Sequence, residues 1–344
     1  MILNKNKIID LFLVLFALLA LSACSFPKIQ TRPDISRDHT RIDSASVVMS
    51  DAYVLPIKTW RAANGPAAVV LALHGFNDYS NAFDAVGQAF AEQSITTYAI
   101  DQRGFGATEQ RGVWAGHEQM QSDLVATVNL LCSQNAGLPL FLLGESMGGD
   151  VLLSAVQQLE QTCARGLILS APAVWGWQTM PWWQTLPLKL LAHTMPETTV
   201  TGEDLDIDPS DNYEMLRALG RDPLIIQQTR IDSIYGLTNL MEAALDNSGA
   251  LSMPALILYG EHDEIIPPTA FCRMYRNLPE RTASRWRLAL YPDGSHMLSR
   301  DLQGAVVIRD ILSWIQDRGS RLPSGHEVLQ DTSRLAALDG CDLQ

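Results

Sequence analysis

Positive charge, cysteine and motifs that bind metals or phosphates are all scarce in this 344-residue sequence. It carries 25 Lys and Arg residues against 38 Asp and Glu residues, so its formal net charge at pH 7 is −13. An acidic surface repels phosphate backbones and anionic lipid headgroups. No Cys or His spacing is typical of zinc, and the Gly-Phe-Gly at residues 104–106 lacks the rest of a dinucleotide-binding motif. The sequence therefore predicts no nucleic-acid partner, no metal and no cofactor.

Short apolar runs alternate with helix-forming stretches along most of the chain, and 47% of its residues are hydrophobic. The runs lie at residues 67–73, 95–100, 139–143, 166–170, 255–259 and 286–291. Such runs are typical of parallel strands that helices cover on both faces. Alternating residues in 46–60 predict an antiparallel hairpin before them. We therefore predict an α/β fold with a mostly parallel, doubly wound sheet of about eight strands.

Ser146 stands at the centre of the pattern Gly-x-Ser-x-Gly, at residues 144–148. An apolar run precedes the pattern and a helix-forming stretch, 151–159, follows it. A serine on a strained turn between strand and helix exposes its Oγ, and flanking glycines let neighbouring backbone approach closely. The pattern predicts that Ser146 is a catalytic nucleophile. The alternative is a glycine-rich turn with a capping serine.

A nucleophilic serine needs a base, and the base needs an acid that orients it. Asp263 follows the apolar run 255–259, and His296 follows the run 286–291. The carboxyl ends of parallel strands meet at one edge of a sheet, which is where ligands bind in open α/β folds. We therefore predict Asp263 as the acid and His296 as the base for Ser146.

Two alternatives stay open for these roles. His262 is a second candidate for the base, although it adjoins the proposed acid Asp263. Asp293 is a second candidate for the acid, although it lies in a Pro-Asp-Gly turn where an aspartate usually serves the turn. The order serine, acid, histidine along the chain favours Asp263 and His296.

Acyl transfer also needs two N–H donors for the oxyanion that forms on attack. One is the backbone N–H after the nucleophile, which belongs to Met147. The other comes from the loop after an earlier strand, and we assign it to Phe76. His74, which begins this loop, is more plausible as a residue that orders the loop than as a catalyst.

Six ordered motifs together resemble the α/β-hydrolase superfamily, and within it the monoacylglycerol lipase and lysophospholipase branch of the serine aminopeptidase S33 type. They lie at residues 74–76, 98–106, 144–149, 221–224, 259–263 and 294–296, within a match from about 46 to 316. The resemblance implies a Ser146, Asp263 and His296 triad that cleaves carboxylic esters of lipids. It also implies an oxyanion hole formed by Phe76 and Met147.

Two residues depart from the pattern of this family. Glu145 stands where relatives often carry a histidine, and the bulky Phe76 stands where many have a small residue. Glu145 adjoins the predicted nucleophile and Phe76 is itself a predicted oxyanion donor, so we expect the acyl pocket near the oxyanion loop to have a different shape.

An insertion must lie between the strands at 166–170 and 255–259, since more than eighty residues separate them. We predict a helical cap at 173–230, inserted into a core formed by 46–172 and 231–318. Four of the eight tryptophans lie in its first part, Trp175, Trp177, Trp182 and Trp183. They either pack the insertion onto the core or line an acyl-chain tunnel above the nucleophile. The resemblance favours the tunnel and hence a preference for medium or long acyl chains.

The N-terminus resembles a bacterial lipoprotein signal. Lys5 and Lys7 precede an apolar stretch at residues 8–19, and Leu-Ser-Ala-Cys closes it at 21–24. This implies removal of residues 1–23 and lipidation of Cys24, whereas an ordinary signal peptide followed by a chance cysteine is the alternative. The serine at position 25 favours the outer membrane. We therefore predict a lipid-anchored protein of the bacterial cell envelope.

Residues 24–45 carry prolines and charges without apolar periodicity, so they are predicted to be a flexible tether after the lipidated cysteine. Residues 319–344 match nothing in the family pattern and are predicted to be a loosely packed C-terminal extension. No function is assigned to this extension.

Four further cysteines would face an oxidising periplasm after export, namely Cys132, Cys163, Cys272 and Cys341. They permit two disulfides in three connectivities. Cys132 and Cys163 end the helices that flank the nucleophile strand, so they can approach each other and leave Cys272 to Cys341. Free buried thiols are the alternative.

Other functions of the same fold also stay open. One is a broad carboxylesterase, and another is an aminopeptidase of the S33 type, which needs an acidic pocket for the α-amine of its substrate. A noncatalytic surface lipoprotein that keeps the fold for binding is the third.

Overall fold

The computed structural model describes residues 26–31, 39–202, 207–280, 285–328, 333–338 and 341. The predicted signal at 1–23 and the predicted lipidation site Cys24 lie outside these residues. Within the described part of the chain, none of the helices is both long enough and apolar enough to cross a bilayer.

A single large sheet lies at the centre of the fold. Its strands are β1 (Arg41–Asp43), β2 (Ser46–Val48), β3 (Val54–Trp60), β4 (Ala68–Leu73), β5 (Ile95–Ile100), β6 (Leu140–Glu145), β7 (Ala164–Ser170), β10 (Ala255–Gly260), β11 (Trp286–Tyr291) and β12 (Glu327–Val328). Their order in the sheet is β1-β2-β3-β5-β4-β6-β7-β10-β11-β12. A separate two-stranded ribbon consists of β8 (Thr199–Val200) and β9 (Thr229–Arg230).

Six neighbouring strands, from β5 to β11, run parallel, and the strands at both edges run antiparallel. The predicted α/β-hydrolase fold is therefore confirmed. The register aligns the carboxyl ends of the strands, pairing Leu73 with Gly144, Glu145 with Ser170, and Gly260 with Tyr291. The loops that carry the predicted site residues thus leave the sheet at one edge.

Helices cover both faces of the sheet. They are α1 (Asp84–Glu92), α2 (His117–Gln134), α3 (Met147–Ser154), α4 (Val156–Leu159), α5 (Trp182–Thr194), α6 (Tyr213–Leu219), α7 (Ile231–Asn247), α8 (Pro268–Asn277), α9 (Gly304–Gln316) and α10 (Ser333–Ala336). Apolar residues of α2, α3, α7 and α8 form one core cluster with the sheet, and those of α1 and α9 form a second. Every residue of β4, β5, β6, β10 and β11 is buried, which explains why most of their residues are apolar.

The insertion predicted at 173–230 contains α5, α6 and the β8–β9 ribbon. Helix α5 packs against α7, the first helix of the second half of the core. Pro181 precedes α5, and Asn212 caps α6 by accepting a hydrogen bond from the Met215 N–H at 3.2 Å.

Part of the predicted tether packs against the folded domain. The Gln30 side chain is buried, and its Nε2 donates to the Val113 carbonyl at 2.8 Å. The Gln30 backbone N–H donates to the Trp114 carbonyl at 2.9 Å. The prediction of a flexible tether is therefore wrong for residues 26–31. Hydrogen bonds to a distant loop leave no periodic pattern in a sequence, so these contacts could not be foreseen. The prediction is also wrong for β1, which pairs with β2 and extends the sheet.

The described part of the C-terminal extension is packed as well. Strand β12 pairs with β11, and Arg287 donates twice to the Glu327 carboxylate, at 2.6 Å each. Leu335 in α10 is fully buried. The prediction of a loosely packed extension is therefore wrong for these residues. With β1 and β12, the large sheet has ten strands among the described residues, where about eight were predicted.

Two disulfides join the four cysteines. One links Cys132 and Cys163, with their Cα atoms 5.9 Å apart, and the other links Cys272 and Cys341, at 5.5 Å. This is the connectivity that the sequence analysis indicates, from the positions of Cys132 and Cys163 at the ends of the helices beside the nucleophile strand. The second bond ties the end of the chain to α8.

Candidate active site

Ser146 lies on the sharp turn between β6 and α3. Its φ of +52° and ψ of −118° place it in a region that residues other than glycine rarely adopt. A Cβ atom on Gly148 would come within 2.0 Å of the Leu73 carbonyl oxygen, and one on Gly144 within 2.5 Å of the Gly148 backbone. Both glycines are therefore required for the turn, as the motif predicts. The turn holds a strained serine at the carboxyl edge of the sheet.

His296 and Asp263 form a buried pair at the same edge. The His296 Nδ1 lies 2.8 Å from Asp263 Oδ2, and both residues are largely buried. Asp263 Oδ1 accepts hydrogen bonds from the backbone N–H groups of Ile265 and Ile266, at 2.9 Å each. These donors fix the carboxylate, which in turn orients the imidazole and leaves its Nε2 free of the pair.

The charge state of His296 depends on several neighbours. Burial lowers the pKa of His296, but the adjacent Asp263 carboxylate raises it, and the net direction is upward. Glu145 also raises this pKa, whereas Arg300 lowers it. The neutral, proton-accepting form of the imidazole therefore becomes the main form at a higher pH than in an unperturbed histidine.

The alternative acid and base lie at the surface. His262 and Asp293 are both exposed, and neither replaces a member of the His296–Asp263 pair. The His262 backbone N–H donates to the Gly294 carbonyl at 2.9 Å, which joins the loops after β10 and β11. The structure thus brings together the acid and base that the sequence order favours.

The loop after β4 approaches the nucleophile closely. A Cβ atom on Gly75 would lie 3.4 Å from the Ser146 Cβ. The next residue, Phe76, is half-buried, with its ring centroid 5.6 Å from that of Phe105. Met147 is fully buried at the first position of α3, where backbone N–H groups have no partner within the helix. The predicted oxyanion donors Phe76 and Met147 thus lie on the two segments that adjoin Ser146.

His74 orders this loop and does not belong to the His296–Asp263 pair. Its Nε2 accepts from the Gln102 backbone N–H at 2.9 Å, and its Nδ1 donates to the Gly75 carbonyl at 2.8 Å. These two bonds assign the neutral tautomer with the proton on Nδ1. Complete burial lowers the pKa of His74, which favours the same neutral form. The contacts are those of the loop-ordering residue that the sequence favours.

The loop that carries Phe76 also touches the base of the insertion. The Ile226 N–H donates to the Asn77 carbonyl at 3.0 Å, and Asn77 Nδ2 donates to Thr229 Oγ1 at 2.6 Å. The Tyr79 hydroxyl donates to Asp222 Oδ2 at 2.7 Å. Asp222 belongs to the Arg-Asp-Pro-Leu motif of the sequence, so that motif marks the junction between the insertion and the oxyanion loop.

Sequence reasoning missed a buried ion-pair network beside the nucleophile. The Arg300 guanidinium donates to Asp78 Oδ2 at 2.7 Å and also to a carboxylate oxygen of Glu145. Glu145 itself was a sequence signal for such a network, because a buried acidic residue next to the nucleophile needs a cationic partner. Spacing along the chain does not reveal which of 25 cations supplies it.

The four tryptophans of the insertion have different environments. Trp175 is half-buried and packs against the core, and Trp177 donates from Nε1 to Asn239 Oδ1 at 2.8 Å. Trp182 and Trp183 are 75% and 58% exposed. Trp182 and Trp183 therefore face solvent on this side of α5, and the acyl-pocket role of the four tryptophans stays a prediction.

Among the residues that the structure describes, no group of three or more His, Cys, Asp or Glu side chains is arranged to hold a metal ion. A serine and a His–Asp pair at one edge of a sheet are groups of the kind used in nucleophilic catalysis with general base assistance.

A sequence profile of the serine aminopeptidase S33 family matches residues 64–303, well over half of the chain. The chain belongs to this family. The matched region spans Phe76, Ser146, Asp263 and His296, and it includes the whole insertion. The resemblance drawn from the six motifs is thereby confirmed.

Two relatives of known sequence extend the comparison. A monoacylglycerol lipase of Mycolicibacterium smegmatis is 26% identical over 260 residues, covering 74% of this chain and 90% of that protein. An uncharacterized abhydrolase domain-containing protein of Dictyostelium discoideum is 24% identical over 278 residues, covering 80% of this chain but 29% of that longer protein.

Solved structures show the same architecture. A soluble variant of monoglyceride lipase from Saccharomyces cerevisiae, in complex with a substrate analog, aligns with a TM-score of 0.66 at 22% identity. The alignment covers 86% of this chain and 100% of that one. This likeness supports the α/β-hydrolase fold independently of the sequence profile.

Proposed function

We propose that this protein is a serine hydrolase that cleaves carboxylic esters of lipids, of the monoacylglycerol or lysophospholipid type. The observation that carries the proposal is the placement of a strained Ser146 at the sheet edge that also holds the His296–Asp263 pair. In this proposal Ser146 is the nucleophile, His296 the base and Asp263 the acid. The backbone N–H groups of Phe76 and Met147 form the oxyanion hole.

The proposed mechanism is acyl transfer in two steps. His296 Nε2 takes the proton from Ser146 Oγ as the oxygen attacks the ester carbonyl, and Asp263 stabilises the imidazolium that forms. The two N–H donors stabilise the negative charge on the carbonyl oxygen. His296 then donates its proton to the departing alcohol, which leaves an acyl group on Ser146. Water, activated by the same histidine, attacks this acyl-enzyme and releases the fatty acid.

Ester cleavage is favoured over aminopeptidase activity by the surroundings of Glu145. An aminopeptidase needs a carboxylate that can receive the α-amine of its substrate. Glu145 is the acidic residue next to Ser146, but Arg300 already pairs with it and it is 2% exposed. The monoacylglycerol lipase of M. smegmatis, as a relative over most of its length, supports the same choice.

A lipid substrate is further supported by the exposed apolar face of α5, formed by Trp182, Trp183, Leu186 and Leu190, with Met195 directly after the helix. These side chains are 54–75% exposed, and Ala192 is the buried residue of the helix. Exposed apolar area of this extent is unusual on a soluble surface that has no apolar partner. We propose that this face contacts lipid and that the acyl chain enters beside it.

We also propose that diacylated Cys24 anchors the protein to the outer membrane. Phe26, two residues later, is 82% exposed. The Lys28 ammonium lies 3.6 Å from a Glu197 carboxylate oxygen, just after the end of α5. Lys28 therefore lies beside the cap, close to the end of α5.

The activity is tested with purified mature protein on matched substrates. We expect hydrolysis of p-nitrophenyl laurate and of a monoacylglycerol or lysophospholipid, and much slower hydrolysis of p-nitrophenyl acetate and amino-acid anilides. Ser146→Ala is the control for contaminating activity. A clear preference for acetate would argue for a broad carboxylesterase, and turnover of anilides alone would argue for an aminopeptidase.

A further inference from the structure

One guanidinium connects three loops of the candidate active site. Arg300 lies four residues after His296, on the loop that follows β11. It pairs with Asp78 on the loop after β4 and with Glu145 at the end of β6, directly before Ser146. We call these three residues the Arg300 bridge. The loops that it joins supply the proposed oxyanion donor, nucleophile and base.

We propose that Arg300 is a positioning residue, whose guanidinium holds the oxyanion loop, the nucleophile turn and the base loop in their working arrangement. The inference rests on the proposed function, because it concerns the geometry of that same reaction. It gives Arg300, Asp78 and Glu145 a role in positioning the site, in addition to the chemical roles proposed for the triad.

The bridge is buried, which makes its geometry energetically significant. The side chains of Arg300, Asp78 and Glu145 are 9%, 7% and 3% exposed. A carboxylate withdrawn from water without a partner is strongly unfavourable, so each acid depends on the guanidinium. Conversely, pairing with two carboxylates offsets the desolvation of Arg300, and the pKa of Arg300 is raised. Separation of the loops would therefore leave at least one buried charge without its partner.

Arginine is specifically suited to this position. A guanidinium presents N–H donors in a planar fork, and Arg300 uses Nη1 for Asp78 and Nη2 for Glu145. The other Asp78 oxygen accepts from the Tyr79 N–H at 2.8 Å, which fixes the carboxylate from its own loop. A lysine offers a single ammonium on a flexible stem, so it does not hold the two acids at a fixed separation.

The bridge also balances charge around the base. The charged groups that act on His296 are Asp263 and Glu145, which raise its pKa, and Arg300, which lowers it. Loss of the Arg300 charge would leave Glu145 unopposed near the imidazole. The imidazolium would then persist to a higher pH. The acidic limb of the pH profile, where activity falls as His296 is protonated, would therefore shift to higher pH.

The test compares Arg300→Lys, Arg300→Met and the double variant Glu145→Gln/Arg300→Met with the natural protein. Arg287→Lys is the matched control, since Arg287 is also a buried arginine in an ion pair, donating twice to the Glu327 carboxylate, but lies at the opposite end of β11. Steady-state kinetics on p-nitrophenyl butyrate from pH 5 to 9 and thermal unfolding are measured for each. Titration with a fluorophosphonate gives the active fraction used to normalise kcat.

For the Arg300 variants we expect kcat to fall by about 10²-fold with a much smaller change in KM, as small displacements of catalytic groups produce. We expect the acidic limb to shift to higher pH in Arg300→Met and to return toward its original position in the double variant. Arg287→Lys should lower the melting temperature without changing kcat or the acidic limb.

The proposal is overturned if normalised kcat and the acidic limb of the Arg300 variants match those of the natural protein. It is also overturned if Arg287→Lys produces the same kinetic changes, since these would then follow from general destabilisation. Such outcomes leave the proposed function intact as long as turnover depends on Ser146. Absence of Ser146-dependent turnover in the natural protein would instead refute the proposed function.

Discussion

The His296 Nδ1 lies 2.8 Å from Asp263 Oδ2. Two backbone N–H groups bind the other oxygen of this carboxylate and hold it in place. His296 and Asp263 are 33 positions apart in the sequence and leave adjacent strands, β10 and β11. This pairing assigns the proton of the neutral imidazole to Nδ1, so that Nε2 is the nitrogen that can accept a proton from a nucleophile.

Replacing Asp263 by asparagine should nearly abolish turnover without unfolding the protein. An amide can donate a hydrogen bond to Nδ1 and so favour the wrong imidazole tautomer, which costs about 10⁴-fold in kcat in comparable triads. Kinetics and circular dichroism of Asp263→Asn measure the two properties. Asp293→Asn serves as the control, since Asp293 is exposed. Equal activity of both variants would exclude Asp263 as the acid.

Activity should decline on acidification at a pH above the ordinary pKa of histidine. The pKa of His296 is raised, and only its neutral form accepts a proton. As pH falls through that raised pKa, the base becomes charged and kcat/KM decreases. The midpoint should therefore lie above about 6.5, the ordinary value for histidine. A pH profile of kcat/KM with a midpoint well below this value would contradict the sign of the shift.

Gly148→Ala should prevent the nucleophile turn from forming. The added Cβ would meet the Leu73 carbonyl oxygen at 2.0 Å, a contact that backbone movement alone can relieve. We expect a loss of about 3 kcal/mol in the free energy of unfolding, together with loss of activity. Gly202→Ala is the control, because no atom of the residues that the structure describes would lie within 4 Å of a Cβ at that position. Urea denaturation compares the two variants, and equal stability would contradict the tight turn.

The Cys272–Cys341 disulfide should stabilise the domain through its long loop. It closes 69 residues and holds the chain end against α8. Cys272→Ser and Cys341→Ser should each lower the free energy of unfolding by about 2–4 kcal/mol, by similar amounts. Denaturation curves measure the loss, and peptide mapping by mass spectrometry without reductant checks the pairing. Free thiols at both positions in the folded, exported protein would contradict it.

The apolar face of α5 should govern binding to lipid but not the chemistry on soluble esters. Leu186 and Leu190 are each 61% exposed. Replacing both by serine should weaken binding of the unlipidated domain to phosphatidylcholine vesicles several-fold, with kcat on p-nitrophenyl butyrate unchanged. Leu302→Ser is the control, since Leu302 is 69% exposed outside this helix. Vesicle sedimentation measures binding, and equal loss in the control would argue against a specific lipid face.

Much of the candidate site is predictable from the sequence, because its parts depend on local signals. The nucleophile turn follows from glycine spacing around Ser146, and Asp263 and His296 each follow an apolar strand. Parallel strands bring such loop positions to one edge, so their proximity follows from fold class alone.

The remainder depends on contacts between distant segments. The partner of Glu145 is Arg300, 155 positions away, and Gln30 is buried by hydrogen bonds to residues more than 80 positions later. Neither relation leaves a periodic pattern. The exposure of Trp182 is likewise not predictable from the sequence. Whether the apolar side of α5 is buried or exposed depends on how this helix packs against α7.

The most direct test of the central claim is fluorophosphonate labelling followed by peptide mass spectrometry, with rates measured for the natural protein, Ser146→Ala and His296→Ala. The account predicts a single adduct on the peptide that contains Ser146, no adduct in Ser146→Ala, and labelling slowed by several orders of magnitude in folded His296→Ala. An adduct on another residue, or labelling of His296→Ala at the natural rate, would contradict it.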